Sequence, residues 1–246
     1  YFKQTNDIDI GRLQWNPIGA SATEEFRGIF DGNNKVISNL NIGTSAMPSE
    51  LEEIGLFGYL SGAVIHNVNI ENASIFSSLP DYYGPIGTLA GEVNSSLIHH
   101  CSASGTISSS SYSGSYVGGL VGKIDYYSQG IIACSAHVDI SVSSSYSGDV
   151  GGLVGEAYCP IICSNASGDV SGYGYLGGLA GDGAAVTDCY ATGAVSSSNM
   201  GGGLVGYQSG TILNSYATGS VYGYNYAGGL VGFHNYYAEI KNSFGS

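Results

Sequence analysis

The sequence predicts an all-β chain folded as one parallel β-solenoid, a β-helix of about eight rungs of 25–33 residues. Three observations predict it. First, Gly-Gly-Leu-Val-Gly stands at Gly118–Gly122, Gly151–Gly155, Gly202–Gly206 and Gly228–Gly232, with an Ala variant at Gly177–Gly181 and looser copies at Gly55–Gly58 and Gly87–Gly91. Its Leu falls at 56, 89, 120, 153, 179, 204 and 230, and a period of roughly 20–50 residues means stacked units. Second, the stretches between are short, rich in Val, Ile and Tyr, and punctuated by Gly and Asn/Asp, which reads as strand and turn. Third, nothing sustains a 3.6-residue period with caps, so helical repeats are excluded. A propeller blade needs roughly 40–50 residues and is too long.

Each rung has the same order. A Gly-Leu-Val-Gly strand is followed by an Ile/Val strand that ends at Asn or Asp. A bend and a small-residue strand come next, and a Ser/Tyr/Gly loop returns the chain, making three strands per turn. Val36–Ile42 matches Val64–Ile70 at an offset of 28, and Asp188–Gly193, Asn214–Gly219 and Asn242–Gly245 continue the pattern. This alignment places Leu40, Val68, Cys101, Cys134, Ser164, Cys189, Ser215 and Ser243 in one column. Leu120, Leu153, Leu179, Leu204 and Leu230 form a second, buried column. Ala191, Ala217, Gly119 and Gly152 imply a thin core, with glycines where backbones approach closely at corners. The longer early rungs carry extra loops at Ser108–Tyr116 and Ser141–Gly148, expected to project from one edge. At ~4.8 Å per rung the rod is ~40 Å long. Residues 1–246 read as one domain, with opening rungs over 1–53 and the glycine-rich repeats over 54–246.

Forty glycines in 246 residues suggest disorder, but 43% hydrophobic residues and 20 Tyr argue for a folded chain. Nineteen acids against six bases give a net charge of −13. That excludes a phosphate-binding stripe, so no nucleic acid is expected as partner, and an anionic membrane surface is disfavoured. No apolar run approaches the ~18 residues of a membrane span. No signal peptide is recognisable at Tyr1-Phe2-Lys3, so the chain reads as mature or trimmed. Five Cys, an odd number, leave the redox compartment open.

The repeated Gly-Gly-Leu-Val-Gly with Asn-Ser-Tyr-Ala-Thr-Gly resembles the GLUG-motif repeats of microbial surface proteins. The opening Asn6–Ile10, Trp15–Gly19 and Phe26–Gly32 resemble the start of such an array. The resemblance covers nearly the whole chain and implies a right-handed, single-stranded solenoid that is extracellular, at the cell surface. The family occurs in adhesins, in accessory regions of secreted peptidases and in other surface proteins, and it brings no catalytic motif.

Tyr59, Glu92, Lys123, Glu156, Asp182, Tyr207 and Phe233 follow each Gly-Leu-Val-Gly strand and form a column. Glu156 and Asp182, on adjacent rungs, have the roughly 5 Å spacing of a retaining glycosidase pair. The favoured reading is instead a solvated charge ladder in which Lys123 is flanked by Glu92 and Glu156, with no Arg or Lys placed to stabilise developing charge. His66 and His99 share a column, with His100 next to it; two imidazoles there lack a third ligand, so no metal is assigned. Cys101, Cys134 and Cys189 read as small buried hydrophobes, with Cys134 tolerating Ala or Val. Cys159 and Cys163 lie in a non-repeating corner, off the core column, and are the candidates for a local disulfide or a link between two chains, with the disulfide state left open by the sequence. Asn72, Asn94 and Asn165 begin N-glycosylation sequons. No hydrolase elbow or phosphate loop is present, and no catalytic residue, cofactor or metal is expected.

Aromatics are in excess of need. Tyr190, Tyr216 and Phe244 form an outward column. Tyr222, Tyr224 and Tyr226 alternate in the last rung, and Tyr82-Tyr83, Tyr126-Tyr127 and Tyr236-Tyr237 are doublets. Such ladders stabilise a sheet face or offer a low-entropy contact surface. The expected function is a non-enzymatic structural protein that self-associates into a cell-surface layer, sheath or fibre. The interface would use these aromatics, the rung ends and Cys159 or Cys163. One alternative is an adhesin-type module recognising cell-surface glycans or proteins. A further one is a polysaccharide-active enzyme using Glu156 and Asp182.

Overall fold

The computed structural model describes residues 1–79, 84–111, 114–144, 148–183 and 185–246. Among them there is no helix, and short strands line up in four parallel sheets of 9, 7, 13 and 6 strands. The turns stack about eight deep as a β-solenoid.

One rung shows how the sequence sets the path. Tyr116–Gly118 joins the six-stranded sheet, Val121–Ile124 the seven-stranded, Gly130–Ile132 the nine-stranded and Ser135–Ser144 the thirteen-stranded. A turn therefore has four strands, not three. The Gly-Gly-Leu-Val-Gly phrase is itself a corner, and Val117, Leu120 and Val121 all point inward with no exposure. The return segment is strand as well: Val195–Ser197 and Met200–Gly202 pair in parallel with the rungs beside them. Part of the extra length of the early rungs goes into longer strands, since Ser102–Ser111 pairs with Ser135–Ser144 over its whole length. Residues 112–113 and 145–147 of those expected loops lie outside the described residues, as do Tyr82 and Tyr83.

The core is one continuous cluster. Leu120, Leu153, Leu179 and Leu204 are fully buried in it; Leu230 packs against it and is partly buried. Glycine sets the thinness of this core. A Cβ on Gly152 would lie 2.1 Å from the Gly178 carbonyl oxygen and 2.9 Å from Cβ of Ala166, and Gly178 and Gly203 stand the same way to Ala191 and Ala217. The glycine corner rests directly on the alanine column.

The bend before the thirteen-stranded sheet repeats with little change. Asn67, His100, Ala133, Cys163, Asp188, Asn214 and Asn242 all have φ between 49° and 55°, the left-handed region that Asn and Asp tolerate best. The residue after each bend points inward. Where it is Ser or Cys its side chain accepts a backbone N–H from the rung before: Cys134 Sγ from Cys101 at 3.4 Å, Ser164 Oγ from Cys134 at 3.1 Å, Cys189 Sγ from Ser164 at 3.4 Å and Ser215 Oγ from Cys189 at 3.1 Å. Each also donates to the carbonyl two residues upstream. The column therefore works as a hydrogen-bonded ladder, and the reading of its cysteines as mere hydrophobes is incomplete. Interchange of Ser and Cys along it was the signal.

The offset-28 alignment of the opening rungs is corrected. Val36 pairs with Asn69 and Ile42 with Ile75, so Leu40 is not in the Val68 column. Two different corners use an Asn at positive φ before an inward apolar residue, Asn39 before Leu40 and Asn67 before Val68. The same local grammar thus appears on two edges.

Candidate functional site: a groove of carboxylates and tyrosines

The last glycine of each Gly-Gly-Leu-Val-Gly shapes the outer surface. A Cβ on Gly155 would sit 2.6 Å from the Gly122 carbonyl oxygen and the Val117 nitrogen, and one on Gly181 would sit 2.4 Å from the Val150 nitrogen. At this corner the six- and seven-stranded sheets close on each other from the outside, leaving a re-entrant groove along the rod. Outward residues from both sheets converge there. One side supplies Tyr116, Asp149, Tyr175 and Met200. The other supplies Tyr59, Glu92, Lys123, Glu156, Asp182, Tyr207 and Phe233 in the register expected.

The groove overturns the solvated-ladder reading. Glu156 is only 6% exposed. Lys123 Nζ lies 3.0 Å from Glu156 Oε2, and the Tyr158 hydroxyl donates to Oε1 at 2.6 Å. The Lys123 ammonium also lies 4.5 Å from the centre of the Tyr116 ring, a cation–π contact. Burial works against that ammonium, but Glu156 more than offsets it and the Lys123 pKa ends above its ordinary value. Tyr158 is held protonated by its bond to Glu156 and by burial. Burial, then Glu156 and Asp182, pushes Asp149 up to about 8. Burial and then Glu156 push Asp182 to about 7. Beside the Ile54–Ile86 bridge, Glu53 rises to about 7 through burial and then Glu52 and Glu92.

These shifts make stability fall with rising pH. The folded state binds protons on Asp149, Asp182 and Glu53 more tightly than the unfolded chain does, so their contribution is full below the ordinary carboxylate range. It is lost as pH rises through about 7 to about 8. Asp149→Asn is expected to raise stability by on the order of 2 kcal/mol at about pH 8.5 and to change little at about pH 4. Thermal melts at the two pH values check this; equal gains at both would remove the charge explanation.

The other predicted residues are not drawn together. His66 and His99 stack at 5.0 Å with parallel rings. Asp31, missed in the sequence because it lies in the irregular opening rungs, pairs with His66 in register, with Oδ1 3.5 Å from Nδ1. Among the described residues no cluster of His, Cys, Asp or Glu is arranged to hold a metal. Cys159 is 1% exposed, and burial followed by the Asp125 charge pushes its thiol up to about 12. It fills the core at a shortened turn and is therefore withdrawn as an interchain link. Cys163 is exposed. Of the sequon asparagines, Asn72 is exposed, whereas the Asn94 amide bonds to the Tyr59 hydroxyl and Glu92. Tyr190, Tyr216 and Phe244 stack outward at 5.2 and 5.4 Å with nearly parallel rings. Tyr222, Tyr224 and Tyr226 are exposed.

The chain is thus a parallel β-solenoid carrying ranked aromatic and acidic side chains along one re-entrant edge. Residues 197–222 match the GLUG motif, in agreement with the resemblance read from the repeats. Over 132 residues, 50% of the chain, it is 34% identical to Halomucin of Haloquadratum walsbyi (strain DSM 16790 / HBSQ001), and it spans 1% of that protein. Among solved structures it is similar to a chain of IgA1 Protease, with TM-score 0.64 and 20% identity, over 98% of its own length and 19% of that chain. A second is a Bacteroides ovatus chain assigned as an immunoglobulin A1 protease, with TM-score 0.58 and 20% identity, over 100% of this chain and 77% of that one. At this identity the two likenesses show the fold alone. No helix among the described residues is long and apolar enough to cross a membrane.

Proposed function

We propose that the chain is a non-enzymatic, extracellular structural solenoid that associates side by side with copies of itself in a cell-surface layer, sheath or fibre. The observation that carries this is the outward stack of Tyr190, Tyr216 and Phe244, set in a chain with only six basic residues to discourage sheet-to-sheet contact. The GLUG motif and the likeness to Halomucin support a cell-surface setting. The non-enzymatic reading draws on Glu156, which is 6% exposed and serves as a structural tie, its Oε1 accepting the Tyr158 hydroxyl and its Oε2 ion-paired with Lys123.

The test is sedimentation velocity over a concentration series. The wild type is expected to gain mass with concentration, and Tyr190→Ser with Tyr216→Ser is expected to shift that gain at least tenfold higher in concentration. A wild type that stays monomeric throughout, or a variant that assembles unchanged, would overturn the lateral-packing reading.

A further inference from the structure

The turn from Asp125 to Ser128 mounts two aromatic rings with no role in the core. Asp125 Oδ1 accepts from the Ser128 nitrogen at 2.9 Å, the Ser128 hydroxyl at 2.7 Å and the Ser95 nitrogen at 3.1 Å. This rigid clasp holds Tyr126 and Tyr127 outward, each 67% exposed, with ring centres 4.1 Å apart. Beneath them lies a shallow depression of about 670 Å³ that includes Tyr59, Glu92, Asn94 and Tyr158. Its amide and carboxylate are fixed before any ligand arrives, since Asn94 bonds to both Tyr59 and Glu92.

The same device recurs further along the same edge. Asn235 replaces Asp125, and Tyr236 and Tyr237 are 91% and 86% exposed. Asn235 Oδ1 accepts the Tyr237 nitrogen at 3.5 Å, and its amide donates to the Tyr207 hydroxyl at 3.1 Å, as Asn94 does to Tyr59. Register carries Lys123 to Glu156, Asp182, Tyr207 and Phe233, so the two tyrosine pairs stand four rungs apart, roughly 19 Å at ~4.8 Å per rung. Between them Tyr175, Tyr207 and Phe233 follow at centroid distances of 5.3 Å.

We infer that this edge is a binding site for an extended neutral polysaccharide lying along the rod axis, gripped at each end by a tyrosine pair. The rung spacing is close to the length of one hexose unit, so successive sugar units lie over successive rungs, and the exposed rings of the two tyrosine pairs offer apolar surface suited to the C–H face of a hexose. Hydroxyls meet Asn94 and Glu92 in the depression, polar partners placed to fix orientation. Neutral chemistry follows from charge. Lys123 is held by Glu156, and the carboxylates together with the net charge of −13 disfavour an anionic glycan. The site goes beyond the structural reading, since a rod needs no ligand to pack on its copies.

The experiment is calorimetric titration of the whole chain with cellohexaose, mannohexaose and chitohexaose, with polygalacturonate as the anionic control. At least one neutral hexasaccharide is expected to bind. Its affinity should fall at least tenfold in Tyr126→Ser/Tyr127→Ser and separately in Tyr236→Ser/Tyr237→Ser, while both variants keep the wild-type melting temperature. Lack of binding by all three at millimolar concentration, binding that both variants retain, or tighter binding of polygalacturonate would overturn the site. Sedimentation of the same variants separates the two readings, because they leave Tyr190 and Tyr216 intact. Cleavage of a bound hexasaccharide that depends on the tyrosine pairs would uphold the site and remove only the non-enzymatic reading.

Discussion

Gly118→Ala is expected to destabilise the chain by roughly 3 kcal/mol or more, at the upper end of what overpacking costs. The new Cβ would lie 1.9 Å from the Val121 carbonyl oxygen and 2.7 Å from both the Gly155 nitrogen and Val154 Cα. All three neighbours are backbone, so no side chain can swing away. Relief requires opening the corner, which loosens the rung-to-rung bonds from Gly119 to Gly151 at 3.2 Å and from Leu120 to Leu153 at 2.9 Å. Gly62→Ala is the control. Gly62 has φ +62° and no atom within 4 Å of the place an added methyl would take, so only the left-handed backbone opposes Ala, at about 1 kcal/mol. Urea midpoints compare the two. Equal losses would mean that close backbone approach does not set the corner.

Leu153→Ala is expected to lose about 2–5 kcal/mol, the transfer term plus an unfilled cavity. Leu153 is fully buried, with Leu120 and Leu179 bonded to it from the rungs on either side. Backbone ladders above and below hold those neighbours in place, which limits collapse into the void. The ladder at Cys134 gives the contrast. Cys134→Ser keeps an acceptor for the Cys101 N–H and is expected to be nearly neutral. Cys134→Val fills the space but orphans that N–H, at about 1–3 kcal/mol. Chemical denaturation of the three variants orders them; a Val variant as stable as the Ser variant would mean the hydrogen-bonded column adds nothing to packing.

Features that repeat were legible in the sequence. The Leu column, the Ala column and the row from Tyr59 to Phe233 all follow from a constant register in which each residue meets its own equivalent. What stayed hidden depends on how strands of one rung sit across from each other. The groove is one such feature: nothing in the row Glu92, Lys123, Glu156, Asp182 tells that Asp149 faces it from another sheet. Burial of Glu156, and with it the proton affinity of Asp149 and Asp182, could not be read without that closure. The opening rungs failed for a different reason. There Asn39-Leu40 and Asn67-Val68 solve the same bending problem on different edges, so local similarity gave a false register and concealed the pairing of Asp31 with His66. Cys159 escaped because the turn between Ala157 and Ile161 is shorter than its equivalent between Ile124 and Ile131, and the missing length draws the thiol inward.

Bonds between rungs run along the rod, and that direction governs how it responds to tension. A pull at the two ends loads the outermost rung first, because only its ladder connects the loose chain to the remainder. Rungs then peel off singly, each in a cooperative step, since neighbours interact only with neighbours. The twenty-six residues from Glu156 to Asp182 on the next rung release roughly 90 Å of extended chain. Lengthening of that size takes place while the unpeeled remainder keeps its core dry. Such a rod yields under load by whole turns, and the parallel register lets each turn wind back onto a template that never dissolved.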